Sequence, residues 1–482
     1  MSGTNLRYIL LVNIIVATIL ILLACGGGGG GGGIIPPISG GDNDNQNTYQ
    51  ITINSTQQAY IIISTKQDID SSQYSFNFPT PNTNTLAQDQ QNTINNRCLK
   101  CGFIPSQAVN PNILYSQTPP QEGDVRTFQV INRQAIATCR KVNHNPQFAI
   151  WLDNNDNLTN AQIQQIATRF ASDYNTLINA AGMPNLPFYV DILISSDVDP
   201  SNPPQIAGYF FAQEDPHRIN IHPVTITDPY YNYEGYNEGN VTTAHEFVHL
   251  LSYHATNSHK PLWLEEGLST YGEELCGYQS ENRLESVRDF LRLPDVTRLD
   301  EEILFEFENY GKSYLFMKLL NQRFNNAWRN ILSSTISDGV DIVEDINGSE
   351  SFQDSVEIFN IAVLLDIPNN PNFGFNNIDL NTIDRNGDNS GNDKGVFKYD
   401  ERDNDGFENQ TLREMRAAST IYKNASFYIY KTNSGFNGII RFITPPSVQF
   451  IDLNVPPIFN QLPNYRVKRI DSNTVRITVI YK

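Results

Sequence analysis

Positive charge is scarce in this sequence of 482 residues. It carries 33 Lys and Arg against 52 Asp and Glu, which gives a net charge of −19. Proteins that bind nucleic acid contact its phosphates through clustered Lys and Arg, and no segment of the sequence carries such a basic stripe. The composition therefore excludes nucleic acid as an expected partner.

Long apolar runs are missing after residue 24, but the first residues do carry one. The run covers residues 8–24, follows Arg7, and stops at Cys25 and a stretch of glycines. This order of charge, apolar core and small residues is typical of an export signal. The ending at 22–25 resembles the lipobox of bacterial lipoproteins, which implies cleavage before Cys25 and a lipid on its sulfur. We expect an extracytoplasmic protein, lipid-anchored to a bacterial membrane at the cell surface or periplasmic face; a plain transmembrane anchor is the alternative.

Cysteine is rare, with four residues left once the lipidation site is set aside: Cys98, Cys101, Cys139 and Cys276. An exported protein can form disulfides, and four cysteines permit three complete pairings. Cys98 and Cys101 could form half of a zinc ribbon, but the second Cys-x-x-Cys pair is missing. We therefore expect disulfides of unassigned pairing rather than a cysteine metal site.

Shifts in composition divide the chain into units. Alternating Ile, Thr and Tyr predict strands near both ends, helical periodicity dominates the middle, and Asn, Asp and Gly without apolar periodicity predict linkers. The expected units are a lipoprotein signal peptide (1–24), a Gly-rich tether (25–47), an amino-terminal β domain (48–145), a central helical and β unit (146–366), an Asn/Asp/Gly-rich linker (367–415) and a carboxy-terminal β-sandwich-like domain (416–482).

Histidine is scarce too, yet two of the seven lie four residues apart in His-Glu-x-x-His, at His245 and His249. On a helix this spacing puts both imidazoles on one face, within reach of one metal ion. Glu246 lies about 100° round the helix, where it can contact a water on that ion without being a ligand. Apolar residues around the motif predict a helix, with Thr242 or Thr243 as its cap.

A catalytic zinc site takes three protein ligands and keeps one position for water. The metzincin solution, a histidine six residues past the second, fails because Ala255 stands there. The other common solution is a glutamate on a second helix. Trp-Leu-Glu-Glu-Gly at 263–267 supplies two candidates, Glu265 and Glu266.

Trp-Leu-x-Glu-Gly-x-x-x-Tyr-x-Glu following His-Glu-x-x-His resembles the gluzincins, zinc peptidases of the thermolysin and aminopeptidase N type. The closest resemblance is to the hyicolysin family of secreted bacterial metallopeptidases, through a Gly-Tyr-Phe segment at 207–215 and Tyr-Gly-x-Ser-Tyr-Leu-Phe at 310–316. The resemblance covers roughly residues 148–365. It implies Zn²⁺ as cofactor and Glu266 as third ligand, with Glu265 as the alternative.

The resemblance also implies a reaction, the hydrolysis of peptide bonds. Glu246 would act as general base on the zinc-bound water and pass its proton to the leaving amine. Tyr310 is the candidate donor to the oxyanion; otherwise it is a core residue at a helix start. A strand at 218–223 would form the sheet edge along the cleft and pair with substrate backbone. We expect an endopeptidase rather than an aminopeptidase, because no Gly-x-Met-Glu-Asn motif is present to hold a free amine.

The expected fold class is therefore multidomain. An α+β zincin-like catalytic domain, made of a small mixed sheet and a helical lobe, would be flanked by small β domains. Protein or peptide substrates are the expected partners. The membrane is a further expected partner, through the lipid anchor on Cys25. A surface binding or adhesion lipoprotein with an inactive peptidase-like domain is the alternative function.

Three further features stay open at this point. Glu273 either hydrogen-bonds a ligand histidine or belongs to a solvated acidic face with Glu274. The segment 384–393 has oxygen side chains at alternate positions, so calcium is a further candidate cofactor, but the final glutamate is missing and a solvated linker is the alternative. The remaining central histidines are expected at the surface or in the cleft rather than as ligands: His217, His222, His254 and His259.

Overall fold

The computed structural model of the chain contains a compact unit spanning Gln46–Lys482. It describes residues 47–65, 75–77, 100–101, 119–130, 133–201, 204, 206–229, 232–233, 235–292, 299, 307–385, 394–396, 399–400, 410–411, 427–432, 436, 438–444, 449–462 and 464–482. None of the helices among these residues combines the length and apolar character needed to cross a membrane. The expected signal peptide, lipidation site and nearly all of the tether lie outside the described residues.

The described residues form a mixed α and β structure, as expected for the α+β class. The strands are β1 (Asn47–Ile53), β2 (Ala59–Thr65), β3 (Ser75–Asn77), β4 (Lys100–Cys101), β5 (Val125–Val130), β6 (Arg133–His144), β7 (Gln147–Asp153), β8 (Val190–Ile194), β9 (Ile206–Phe210), β10 (Arg218–Ile221), β11 (Asn232–Tyr233), β12 (Tyr236–Asn237), β13 (Tyr399–Asp400), β14 (Gln410–Thr411), β15 (Phe427–Thr432), β16 (Gly438–Thr444), β17 (Ile451–Leu453), β18 (Arg466–Asp471) and β19 (Val475–Tyr481). The helices are α1 (Asn160–Ala181), α2 (Val224–Thr227), α3 (Glu238–Thr256), α4 (Leu262–Leu275), α5 (Glu281–Arg292), α6 (Phe307–Arg323), α7 (Ala327–Ser333), α8 (Gly339–Asn347) and α9 (Phe352–Leu365).

A seven-stranded mixed sheet lies under the central helices, in the order β4-β9-β10-β8-β7-β6-β5. β10 pairs in parallel with β8 and antiparallel with β9. The expectation that residues 218–223 form the sheet edge is wrong, because β10 has a strand on each side. All four residues of β10 are buried, as an internal strand requires.

Helix α1 holds α3 against this sheet. Thr159 caps α1 in a capping box, and Gly182 ends it in the left-handed conformation that glycine adopts without strain. Phe170 of α1 packs 5.0 Å from Phe148 of β7 and 5.1 Å from Phe247 of α3, ring centroid to centroid. Edge-to-face aromatic pairs of this kind fix the helix that carries His-Glu-x-x-His.

Helices α4 to α9 form a lobe beside α3. Close helix packing needs two glycines: a Cβ at Gly267 would lie 2.8 Å from the Ser313 carbonyl oxygen, and one at Gly311 would lie 2.1 Å from that of Ser286. Helix α6 therefore passes tightly against both α4 and α5. Helix α8 is short, nine residues, and the Asp338 side chain caps it.

Two further sheets combine strands from both ends of the chain. One has the order β1-β16-β3-β14 and the other β13-β15-β2-β19-β18-β17. The sheets share a core that includes Ile51, Ile61, Ile440, Phe442 and Val479. The expected boundaries at 48–145 and 416–482 do not match this pairing, since β1 and β2 join the carboxy-terminal strands while β5 and β6 join the central sheet. Alternation identifies strands but not their partners.

The six-stranded sheet packs its other face on α9. Arg469 and Arg476 reach from the sheet to Asp354 and Glu357 of the helix. We call these four residues with Asp471 the arginine clamp. The expected linker 367–415 begins with packed structure instead, because Phe373 is fully buried and stacks on Phe459 at 5.6 Å. Isolated aromatics in an Asn-rich segment carry no periodicity that would have predicted this packing.

Candidate metal centre

Helix α3 brings both motif histidines into the protein interior. It begins at Glu238 with Asn237 as its cap, so the expectation of a cap at Thr242 or Thr243 is wrong. Thr243 instead donates its hydroxyl to the Gly239 carbonyl inside the helix. The helix thus starts about two turns before the motif, whose residues lie well inside the helix.

Helix α4 places one glutamate against both imidazoles. Glu266 Oε2 lies 3.0 Å from His245 Nε2, and Glu266 Oε1 lies 3.7 Å from His249 Nε2. One ligand atom from each of the three residues lies within 4.8 Å of the others, and all three side chains are buried. In the part of the chain that the structure describes, this is the one group of histidine, cysteine and carboxylate side chains close enough to hold a metal ion.

The three side chains fit a metal ion on two further grounds. Glu266 Oε1 is buried and makes no hydrogen bond within the described residues, so one of its lone pairs lacks a donor. Two ligands about 2.1 Å from a tetrahedral zinc are roughly 3.4 Å apart, between the two nitrogen–oxygen separations found here. A cation at this position would satisfy the facing lone pairs of Glu266 and the two imidazoles.

Glu273 fixes the first imidazole from its far side. Its Oε1 lies 2.8 Å from His245 Nδ1, and its Oε2 lies 3.5 Å from Arg283 Nη1. Glu273 is 6% exposed, so it hydrogen-bonds a candidate ligand histidine and does not belong to a solvated acidic face. When Glu273 accepts the Nδ1 proton, the Nε2 lone pair of His245 points toward Glu266.

Glu265 fixes the second imidazole in the same way. Its Oε2 lies 3.3 Å from His249 Nδ1, on the opposite side of the ring from Glu266. The alternative in which Glu265 is the third ligand therefore lacks support from the geometry. Burial alone would lower the pKa of His249, but the charge of Glu266 and the hydrogen bond with Glu265 raise it above its ordinary value.

Of the two predicted catalytic residues, Glu246 lies on α3, the helix that carries both histidines, and Tyr310 lies on the neighbouring helix α6. Glu246 is 1% exposed and its charge is one of those that raise the pKa of His249, yet it is not one of the three grouped ligands. Tyr310 is half-buried in the first turn of α6, one turn before Ser313, which contacts Gly267 beside Glu266. Its role as oxyanion donor stays a prediction.

The other candidate ligands lie elsewhere. Among the histidines expected in the cleft or at the surface, His222 is buried, and the rest are half-buried. Cys139 and Cys276 are free thiols, so the expected disulfides do not include these two. Burial raises the pKa of Cys139 to about 11. Cys98, the side chain of Cys101 and most of the candidate calcium loop, residues 386–393, lie outside the described part of the chain.

Sequence reasoning missed three residues that support the centre: Ser252, Lys260 and Arg283. Ser252 donates its hydroxyl to Glu265, as does the backbone N–H of Lys260. Ser252 follows His249 by three residues on one helix face, a spacing that could have identified it. Nothing in the sequence marks Lys260 or Arg283. Lys260 contacts Glu265 from the loop before α4, and Arg283 contacts Glu273 from α5.

Comparisons with known proteins add no family to this description. No protein-family model matches the sequence, and no curated protein matches it. What the site can do therefore follows from its geometry and chemistry.

Proposed function

We propose that the protein is a zinc-dependent peptidase, an endopeptidase tethered outside the cytoplasm by a lipid on Cys25. The observation that carries the proposal is the buried convergence of His245, His249 and Glu266, with Glu246 on the same helix as both histidines. The resemblance to gluzincins at the two motifs supports the same assignment.

The donor set favours zinc over other cations. Two imidazole nitrogens and one carboxylate oxygen are ligands that zinc accepts in catalytic sites, whereas calcium and magnesium prefer oxygen alone. Bound zinc would supply Lewis acidity, lowering the pKa of a water and polarising the scissile carbonyl. Three protein ligands leave room for that chemistry, because a catalytic zinc keeps one open position.

The protein's own residues would orient the reactants and move the proton. Glu265 and Glu273 hold the imidazoles with their Nε2 atoms toward Glu266. Glu246 takes a proton from the attacking water and delivers it to the leaving amine. Tyr310 donates its hydroxyl to the developing oxyanion on the substrate.

The proposal is tested with the full chain and the variant Glu246→Gln. We expect about one zinc per chain after dialysis, in both the wild-type protein and the variant, since Glu246 is not a ligand. Cleavage of casein or a quenched peptide should fall by about 10²–10⁴-fold in the variant, the typical contribution of a general base.

Circular dichroism and zinc content are the controls that show the variant is folded and loaded. Undiminished cleavage by Glu246→Gln would remove the general base from the proposal. A wild-type chain that holds zinc but cleaves nothing would favour the alternative, a surface binding protein with an inactive peptidase-like unit.

A further inference from the structure

Glu265 is a carboxylate in a place where three hydrogen-bond donors meet. His249 Nδ1 lies 3.3 Å from its Oε2, while the Ser252 hydroxyl and the Lys260 backbone N–H reach its Oε1 at 2.8 and 2.9 Å. An amide could offer these donors one oxygen atom, whereas a carboxylate offers two. The site therefore requires a charged side chain, which is fully buried at 0% exposure.

A buried carboxylate is costly unless a cation lies close to it. The ammonium of Lys260, a residue that is 4% exposed, lies 3.5 Å from the Ser252 hydroxyl oxygen that donates to Glu265. One hydroxyl group thus separates the buried ammonium from the buried carboxylate. Lys260 also donates its backbone N–H to Glu265. The loop between α3 and α4 therefore brings both the backbone and the ammonium of Lys260 close to this carboxylate.

We propose that Lys260 is a positioning residue for the metal centre: its ammonium compensates the charge of Glu265 and so keeps that carboxylate against His249 Nδ1. The inference rests on the proposed zinc site. Lys260 touches no ligand itself; it acts through Ser252 and Glu265. Removing its charge leaves Glu265 to turn toward water or another donor, and His249 then loses the contact that orients its Nε2.

Arg323 provides a matched control for a purely structural role. Its side chain is also a buried cation, 3% exposed, and it forms an ion pair with Glu350 at 2.6 Å. Glu350 accepts a hydrogen bond from the Ser355 hydroxyl at 2.7 Å, so these contacts join α6 to α9. Arg323→Met should therefore lower stability but leave zinc affinity unchanged.

The experiment measures zinc affinity by chelator competition on the full chain. Lys260→Met should weaken zinc binding by about 10–100-fold, the usual effect of losing an outer partner of a metal ligand. Lys260→Arg, which keeps the charge, should restore most of the affinity. Unfolding temperatures without zinc, measured in parallel, separate lost affinity from lost fold.

A double variant keeps the proposal testable if Lys260→Met does not fold. Once Glu265→Gln has removed the carboxylate charge, the ammonium has nothing to compensate, so adding Lys260→Met should change zinc affinity by less than about threefold. A further tenfold loss in the double variant, or unchanged affinity in Lys260→Met, would overturn the role of Lys260. A wild-type chain that binds no zinc would instead overturn the proposed function.

Discussion

Glu266 of the metal centre and Glu357 of the arginine clamp are both buried carboxylates, 4% and 3% exposed. Glu357 lies 3.0 Å from Arg469 Nε and 3.3 Å from Arg476 Nη1, and it accepts the Thr478 hydroxyl at 2.6 Å. Glu266 faces two imidazoles, and one of its oxygens lacks a donor within the described residues.

The difference shows how the same burial serves two purposes. At the clamp the counter-charge is part of the chain, so the six-stranded sheet and α9 are joined permanently. At the metal centre the groups that face the carboxylate are imidazole nitrogens, which can exchange a proton for the proposed metal ion. Stability should therefore be independent of zinc at the clamp and dependent on zinc at the centre.

The largest expected effect is at the clamp. Arg476→Met removes one cation from among Asp354, Glu357 and Asp471, which should lower the free energy of unfolding by about 3–5 kcal/mol because buried charges lose their partner. Urea denaturation with and without zinc measures it, and the loss should be the same in both conditions.

An exposed ion pair provides the control for the clamp. Asp197→Asn breaks a 2.9 Å contact with Arg133, whose side chain is 53% exposed, and should cost no more than about 1 kcal/mol. A loss in Arg476→Met that disappears when zinc is added would contradict the separation of the two clusters.

Zinc should produce the next largest effect, and only where Glu266 is intact. At a free concentration about 100 times the dissociation constant, zinc should raise the free energy of unfolding by about 2.7 kcal/mol. Glu266→Gln should lose this gain while staying folded without zinc. Thermal unfolding of both chains with zinc and with chelator tests it; an equal gain in the variant would place the ion elsewhere.

The smallest expected effect extends the comparison to His217, a histidine whose ring stacks on other rings. His217 stacks on Phe188 and on His254, and burial followed by the charge of His254 lowers its pKa from 6.5 to about 4. Protonation therefore favours the unfolded chain: the contribution of neutral His217 is complete above pH 6.5 and is lost as the pH falls toward 4.

Because His217 is partly exposed, this contribution should amount to about 1 kcal/mol. Chemical denaturation of the wild-type chain and His217→Phe at pH 7.5 and 4.5, both with chelator, measures it. The stability difference between the two chains should shift in favour of the variant at the lower pH. An unchanged difference would show that His217 does not titrate between those values.

Local signals in the sequence predicted the parts of the fold that depend on near neighbours. Thr159 and Gly182 mark the two ends of α1, and the spacing of His245 and His249 puts both rings on one helix face. Both features follow from contacts within a turn or two of helix. The motif after the loop identified Glu266 as a candidate ligand through its resemblance to the gluzincins.

Long-range partners could not be read from the sequence. The pairing of β1 with β16 and of β2 with β19 joins residues about 400 positions apart, and alternation in each strand is compatible with many partners. The outer partners of the centre, Lys260 and Arg283, are ordinary charged residues until the helices bring them to Glu265 and Glu273.

The most direct test of the account is the position of the metal itself. Crystals of the full chain grown with zinc should give one anomalous difference peak at the zinc edge beside α3. The account predicts bonds of about 2.0–2.2 Å from that peak to Nε2 of His245, Nε2 of His249 and an oxygen of Glu266. A peak bonded to Glu265 in place of Glu266, or no peak between α3 and α4, would contradict it.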